Sequence, residues 1–151
     1  MANLLIREGR AAEIMLVEDN RGDAMLAARA FRQAEIENHL TVAETGEKAL
    51  AMLRREGEYA AMRSPDLILL DLNLPMMSGK DVLTAIKSDD ALRHIPVIIL
   101  SSSSAAPDIS GSYGLHANAY IVKPLNLENF SDVVHSIEQF FFMLAVLPVA
   151  D

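Results

Sequence analysis

The chain has 151 residues, 51% of them apolar and 23% charged, which suits one domain with a substantial core and excludes both a disordered chain and a second domain of ordinary size. A formal net charge of −8 gives a field that repels a phosphate backbone, so nucleic acid is not an expected partner. The absence of cysteine excludes disulfides, thiolate metal sites and thiol catalysis.

The first residues, "MANLLIREGRAA", are too short and too mixed for a secretory signal and are taken as an N-terminal extension, 1–12. No apolar run approaches the roughly 18 residues of a membrane span, so neither a membrane partner nor any location but the cytoplasm is expected. A first strand is expected at "EIMLVED" (13–19) and a helix at 22–35, where Ala24, Ala27, Ala28 and Phe31 form a one-sided apolar stripe. "HLTVAE" (39–44) reads as a second strand before a helix at 46–57, and "DLILLD" (66–71) as a third before a helix at 79–88. Ser78 and Asp81 have the spacing of a capping box at the start of that third helix. "IPVIILS" (95–101), a helix at 107–116, "AYIVKP" (119–124) and a helix from 126 to about 143 complete the series, leaving 144–151 as a tail.

Several of these strands are apolar throughout rather than alternating, the pattern of a parallel sheet covered on both faces. Five β-then-α units in succession imply a doubly wound α/β fold, because each right-handed crossover carries its helix onto a face of the sheet.

In such a sheet the strands end at one edge, and ligands bind outside their carboxyl ends. The first strand brings Glu18 and Asp19 there, the third Asp71, the fourth Ser101 and Ser102, and the fifth Lys123 followed by Pro124. Taken singly, each has an ordinary explanation. Asp71 with Asn73 and Pro75 is turn punctuation, Glu18 and Asp19 suit a helix N-cap, and Lys123 suits a solvated strand end. Together they make a site. Three neighbouring carboxylates take up protons unless a cation compensates them, and Mg²⁺ takes oxygen ligands of this kind together with a phosphate. An Asp carboxylate is also a competent nucleophile towards a phosphoryl group, which Lys123 would pair with and Ser101 would hydrogen-bond.

The blocks "LVEDN", "LLDLNLPMMSG", "VIILSSSS" and "AYIVKPL" resemble, in order, spacing and residue type, the four signatures of the response-regulator receiver domain of two-component signalling. The resemblance covers about residues 13 to 140, within a receiver domain drawn at 13–143. It implies a flavodoxin-like sheet of order 2-1-3-4-5, with Asp71 as phosphoacceptor. It also implies a Mg²⁺ site made by Glu18, Asp19, Asp71 and the main-chain carbonyl of Asn73. Ser101 falls at the Thr/Ser switch position with Ser102 beside it, Tyr120 at the aromatic switch position, and Lys123 before a proline that is often cis in this family. Glu18 stands where Asp is usual and Ser101 where Thr is usual, both familiar variants. Asn73 and Ser103 occupy positions where the family tunes hydrolysis of the phosphate.

More narrowly, "LDLNLP", the stretch "SSSSAAPDISGSYGLHANAYIVKPLNLENF" and the ending "IEQFFFMLAVLP" resemble the stand-alone receivers paired with phytochrome histidine kinases. That subgroup implies a phytochrome-type kinase as partner. The receiver-domain resemblance as a whole implies an output in which Ser101 turns to the phosphoryl group, Tyr120 turns inward, and the face of the fourth helix, fifth strand and fifth helix changes. No DNA-binding module is expected after the last helix. Phe140, Phe141 and Phe142 are consecutive and spread over about 200° of helix surface. With Met143 and Leu144 they make an apolar surplus that favours homodimerisation, the alternative being a tail folded over its own core.

Two other classes compete. A metal-dependent phosphotransferase or phosphatase with an aspartyl nucleophile needs a second acid nearby, and Asn73 stands where a DxD pattern requires Asp. A phosphate-independent interaction module predicts no Mg²⁺-dependent response to a phosphodonor. His39, His94, His116 and His135 have no metal-ligand spacing and suggest no catalysis.

Overall fold

The apolar runs become five parallel strands, β1 (Ala12–Val17), β2 (Asn38–Ala43), β3 (Leu67–Leu70), β4 (Val97–Ser101) and β5 (Ala119–Val122), in the order β2-β1-β3-β4-β5. The computed structural model describes residues 10–102, 105–124 and 126–140. Five helices alternate with the strands: α1 (Arg21–Arg32), α2 (Gly46–Leu53), α3 (Gly79–Ser88), α4 (Ala106–Gly114) and α5 (Leu127–Ile137). A short 3-10 turn, Gly57–Tyr59, was not foreseen.

The strands feed two cores because successive side chains point to opposite faces. Met15, Val17, Ile68, Leu70, Val97 and Ile99 pack against Leu50 and Leu53 of α2 and Val82, Leu83 and Ile86 of α3. Ile14, Leu16, Leu67, Leu69, Ile98 and Leu100 pack against Ala27, Ala30 and Phe31 of α1 and Phe130, Val134 and Ile137 of α5. β3 and β4 are buried at every residue, which is why they read as unbroken apolar runs.

Caps fix where the helices start. Asn20 opens α1, Thr45 opens α2 and Asn126 opens α5, each accepting a main-chain N–H three residues on. The Ser78–Asp81 capping box forms in full, and α3 spans the expected residues. Three helices stop early. α1 ends at Arg32 rather than 35, where the Gln33 N–H turns to the carbonyls of Arg29 and Ala30 and the Ala34 N–H to that of Phe31. α2 ends at Leu53 rather than 57 because Arg55 is left-handed, at φ +55°. α4 ends at Gly114 rather than 116, where His116 is left-handed at φ +72°. α5 is α-helical to Ile137 and continues as a π turn at 138–140, and the expected stretch 141–143 lies outside the described residues. Ser103, Phe141, Phe142, Met143, Leu144 and the remaining tail lie outside the described residues.

Register then aligns the functional edge. Val17 pairs with Leu70, so Glu18 and Asp71 leave adjacent strands side by side, and the Asp71 N–H donates to the Val17 carbonyl at 3.0 Å. Ser101 pairs with Val122, and the Lys123 N–H donates to the Ser101 carbonyl at 2.7 Å.

Candidate functional site

Asp71 is only 4% exposed, an unusual burial for a carboxylate, and its two oxygens have different partners. Oδ1 accepts the Asn73 N–H at 3.0 Å, closing the turn after β3, and Oδ2 accepts Lys123 Nζ at 2.9 Å. One oxygen thus serves the turn, and the other meets the lysine expected at the same edge. Gly79 at the start of α3 allows the chain to close over it. A Cβ there would overlap the Asp71 carbonyl oxygen and the Leu72 Cα, both of them backbone atoms.

Glu18 is equally buried. Its Oε1 accepts the Asn20 N–H at 3.1 Å and its Oε2 lies 2.8 Å from Lys123 Nζ. The α1 cap is Asn20, not Glu18 or Asp19, which leaves both acids for the edge. Asp19 is exposed at its rim. Glu18, Asp19 and Asp71 each offer an oxygen, and these oxygens lie within 4.8 Å of one another. A third acid on Lys123, Asp23 of α1, was missed in the sequence; its Oδ2 lies 2.9 Å from Nζ.

The electrostatics follow from burial. Loss of water pushes the Glu18 carboxyl up from its ordinary 4.5 to about 7, and the proximity of Asp71 adds to this, although hydrogen bonds from Lys123 and Asn20 pull the other way. For Lys123, burial lowers the pKa, but hydrogen bonds to Glu18, Asp23 and Asp71 outweigh it and push the group well above its ordinary value. Lys123 is thus held as a cation that compensates part of a cluster of four acids.

That cluster still carries excess negative charge and presents only hard oxygen donors. Both features suit Mg²⁺, which takes one or two carboxylates and keeps several waters. Glu18, Asp19 and Asp71 are the residues that would hold it. The other expected residues lie on β4, just beyond it, and on β5. Ser101 is fully buried at the end of β4, Ser102 is exposed beyond it, and Tyr120 is half-buried on β5 with its N–H donating to Tyr113 Oη at 3.1 Å. The expected cis bond before Pro124 is not found, because no peptide bond among the described residues is cis. A salt bridge from Lys80 Nζ to Asp108 Oδ1, 2.9 Å long, ties the start of α3 to the first turn of α4 beside the site.

A doubly wound parallel sheet with a buried acid, a lysine and an acidic metal-type cluster at its carboxyl edge defines a phosphoryl-accepting class of domain. The chain belongs to the response regulator receiver domain family, which residues 14–135 match. It is 39% identical over 137 residues to response regulator Rcp1 of Synechocystis sp. (strain PCC 6803), covering 91% of this chain and 93% of that protein. It also resembles the crystal structure of the phosphorylated cyanobacterial phytochrome response regulator RcpA, with TM-score 0.87, 45% identity and coverage of 92% and 99% of the two chains. The Mn²⁺-bound form of Rcp1 matches at TM-score 0.84 and 38% identity, over 91% of this chain and 99% of that one. Receiver domains bind Mg²⁺, and the acids grouped here fit that role.

Proposed function

We propose that this receiver accepts a phosphoryl group on Asp71 from a phytochrome-type histidine kinase, using Mg²⁺, and passes the change on through protein contacts. The observation that carries this reading is Asp71 itself, a buried carboxylate 2.9 Å from Lys123 Nζ and grouped with Glu18 and Asp19. In the transfer, an Asp71 oxygen bonds to phosphorus as the P–N bond of the phosphohistidine breaks. The electron pair leaves with the imidazole, which takes up a proton. Lys123 then pairs with phosphoryl oxygens, with Ser101 and Ser102 donating hydrogen bonds from the end of β4. Bound Mg²⁺ would neutralise charge developing on the transferring group.

The kinase type is supported by the similarity to RcpA, which is itself a phytochrome response regulator. The Asn73 main-chain carbonyl completes the metal ligands in this reading. Ser101 and Tyr120 relay the change to α4, β5 and α5, and slow autodephosphorylation resets the domain. Phe140, which is 60% exposed at the end of α5, supports a homodimer contact continuing through Phe141, Phe142, Met143 and Leu144. The protein acts in the cytoplasm beside its kinase.

The test is intact mass after treatment with acetyl phosphate, with and without Mg²⁺, for the native chain and Asp71→Asn. A phosphoryl-sized gain that needs both Mg²⁺ and Asp71 is expected. No gain in the native chain, with Mg²⁺ bound, would leave only the interaction-module reading.

A further inference from the structure

The Lys123 ammonium has three N–H donors and three carboxylate neighbours: Glu18 at 2.8 Å, Asp23 at 2.9 Å and Asp71 at 2.9 Å. Two of these acids also belong to the group that could hold a divalent cation, whereas Asp23 does not. Its place is set from elsewhere. Asp23 lies in the first turn of α1, and its N–H is fixed by the Asn20 side chain at 3.0 Å.

We propose that Asp23 is a positioning residue for phosphoryl acceptance, keeping the Lys123 ammonium anchored when Glu18 and Asp71 turn to the cation and the phosphoryl group. This rests on the reading of Asp71 as acceptor. A lysine side chain is a flexible stem carrying a point charge, and a free one samples many rotamers. Here both ends are held: the Lys123 N–H by the Ser101 carbonyl at 2.7 Å, and Nζ by Asp23 of α1, the helix that follows β1 on the far side of β3 and β4. With one N–H committed to Asp23, the other two face Glu18 and Asp71, the side from which phosphoryl oxygens would arrive. Placing a charged donor in advance is the kind of positioning that raises a rate constant more than it changes binding. The competing account is that Asp23 only complements the α1 dipole as an acid in its first turn, which would affect stability and nothing else.

The experiment compares the native full-length chain with Asp23→Ala and Asp23→Asn. With acetyl phosphate and Mg²⁺, the P–O bond to the acetyl group breaks, its electron pair leaves on acetate, and the new P–O bond forms to Asp71. Asp23→Ala is expected to lower the rate constant at saturating acetyl phosphate about tenfold. The half-saturating donor concentration and the Mg²⁺ affinity should change little. Asp23→Asn keeps an oxygen that accepts from the ammonium, so it should recover most of the rate. In parallel, the ¹⁵Nζ resonance of Lys123 in the Mg²⁺ form should persist in the native and Asn chains and be lost to exchange in the Ala chain. A native rate or a faster one in Asp23→Ala overturns the proposal, as does an equal loss in both variants that follows a fall in melting temperature. If the native chain takes up no phosphoryl group, the reading of Asp71 fails, and the lysine resonance alone still decides whether Asp23 anchors Lys123.

Discussion

Glu18 shows how burial at a sheet edge becomes a chemical property. Its folded pKa is raised to about 7 from 4.5, so without metal its contribution to stability is fully present below pH 4.5 and is lost as pH rises through about 7. With Glu18 among the proposed Mg²⁺ ligands, the metal would compete with that proton for the carboxylate, and its binding would release it. The apparent Mg²⁺ affinity is therefore expected to rise several-fold between pH 6 and pH 8, then level off. Titrating Mg²⁺ against melting temperature at the two pH values checks this. An affinity independent of pH across the interval would mean that Glu18 is already ionised at pH 6. Glu18→Gln should abolish the pH dependence while weakening binding at every pH.

At the scale of elements, α3 and the turn before it form a lid over the Asp71 backbone. Gly79 is the point of closest approach, and the atoms that an added Cβ would meet are main chain and cannot step aside as a flexible side chain would. Gly79→Ala, although it favours helix by about 1 kcal/mol, should therefore lower stability on balance and reduce phosphoryl uptake. Urea unfolding and intact mass read the two effects; a more stable variant would show that α3 can shift outward at little cost. Much of this element was legible in the sequence, because Ser78 and Asp81 announce the helix start and Leu67–Leu70 announce a strand buried on both faces. The acids at strand ends were legible for the same reason: a polar residue directly after an apolar run marks where the strand reaches the sheet edge. Asp23 was not, since an acid in a helix's first turn satisfies the helix dipole and so carries no visible sign of a distant partner. Its contact with Lys123 spans 100 residues of sequence. The early end of α2 was hidden as well, because Arg55 gives no hint that it will take the left-handed conformation usually reserved for Gly or Asn.

For the molecule as a whole, the two apolar cores carry an edge at which four acids meet one lysine. Glu18 and Asp71 are buried there with Asp23 and Asp19 close by, and Lys123 is the cation in contact with three of them. Asp71→Asn removes a buried negative charge, while its amide oxygen still accepts either Lys123 or the Asn73 N–H. Without Mg²⁺ this variant is expected to be more stable than the native chain by about 1 kcal/mol, a rise of a few degrees in melting temperature for a chain of this size. Mg²⁺ should reverse the order, because a ligand that binds the folded state stabilises it by about 2.7 kcal/mol at a hundred times its dissociation constant. The native chain gains that increment and the variant, with one ligand neutralised, gains much less. Melting curves of both chains across a Mg²⁺ series should therefore cross. Curves that never cross, with the native chain the more stable even in chelator, would show that Lys123 already compensates the acids in full and that the edge holds no electrostatic strain for the metal to relieve.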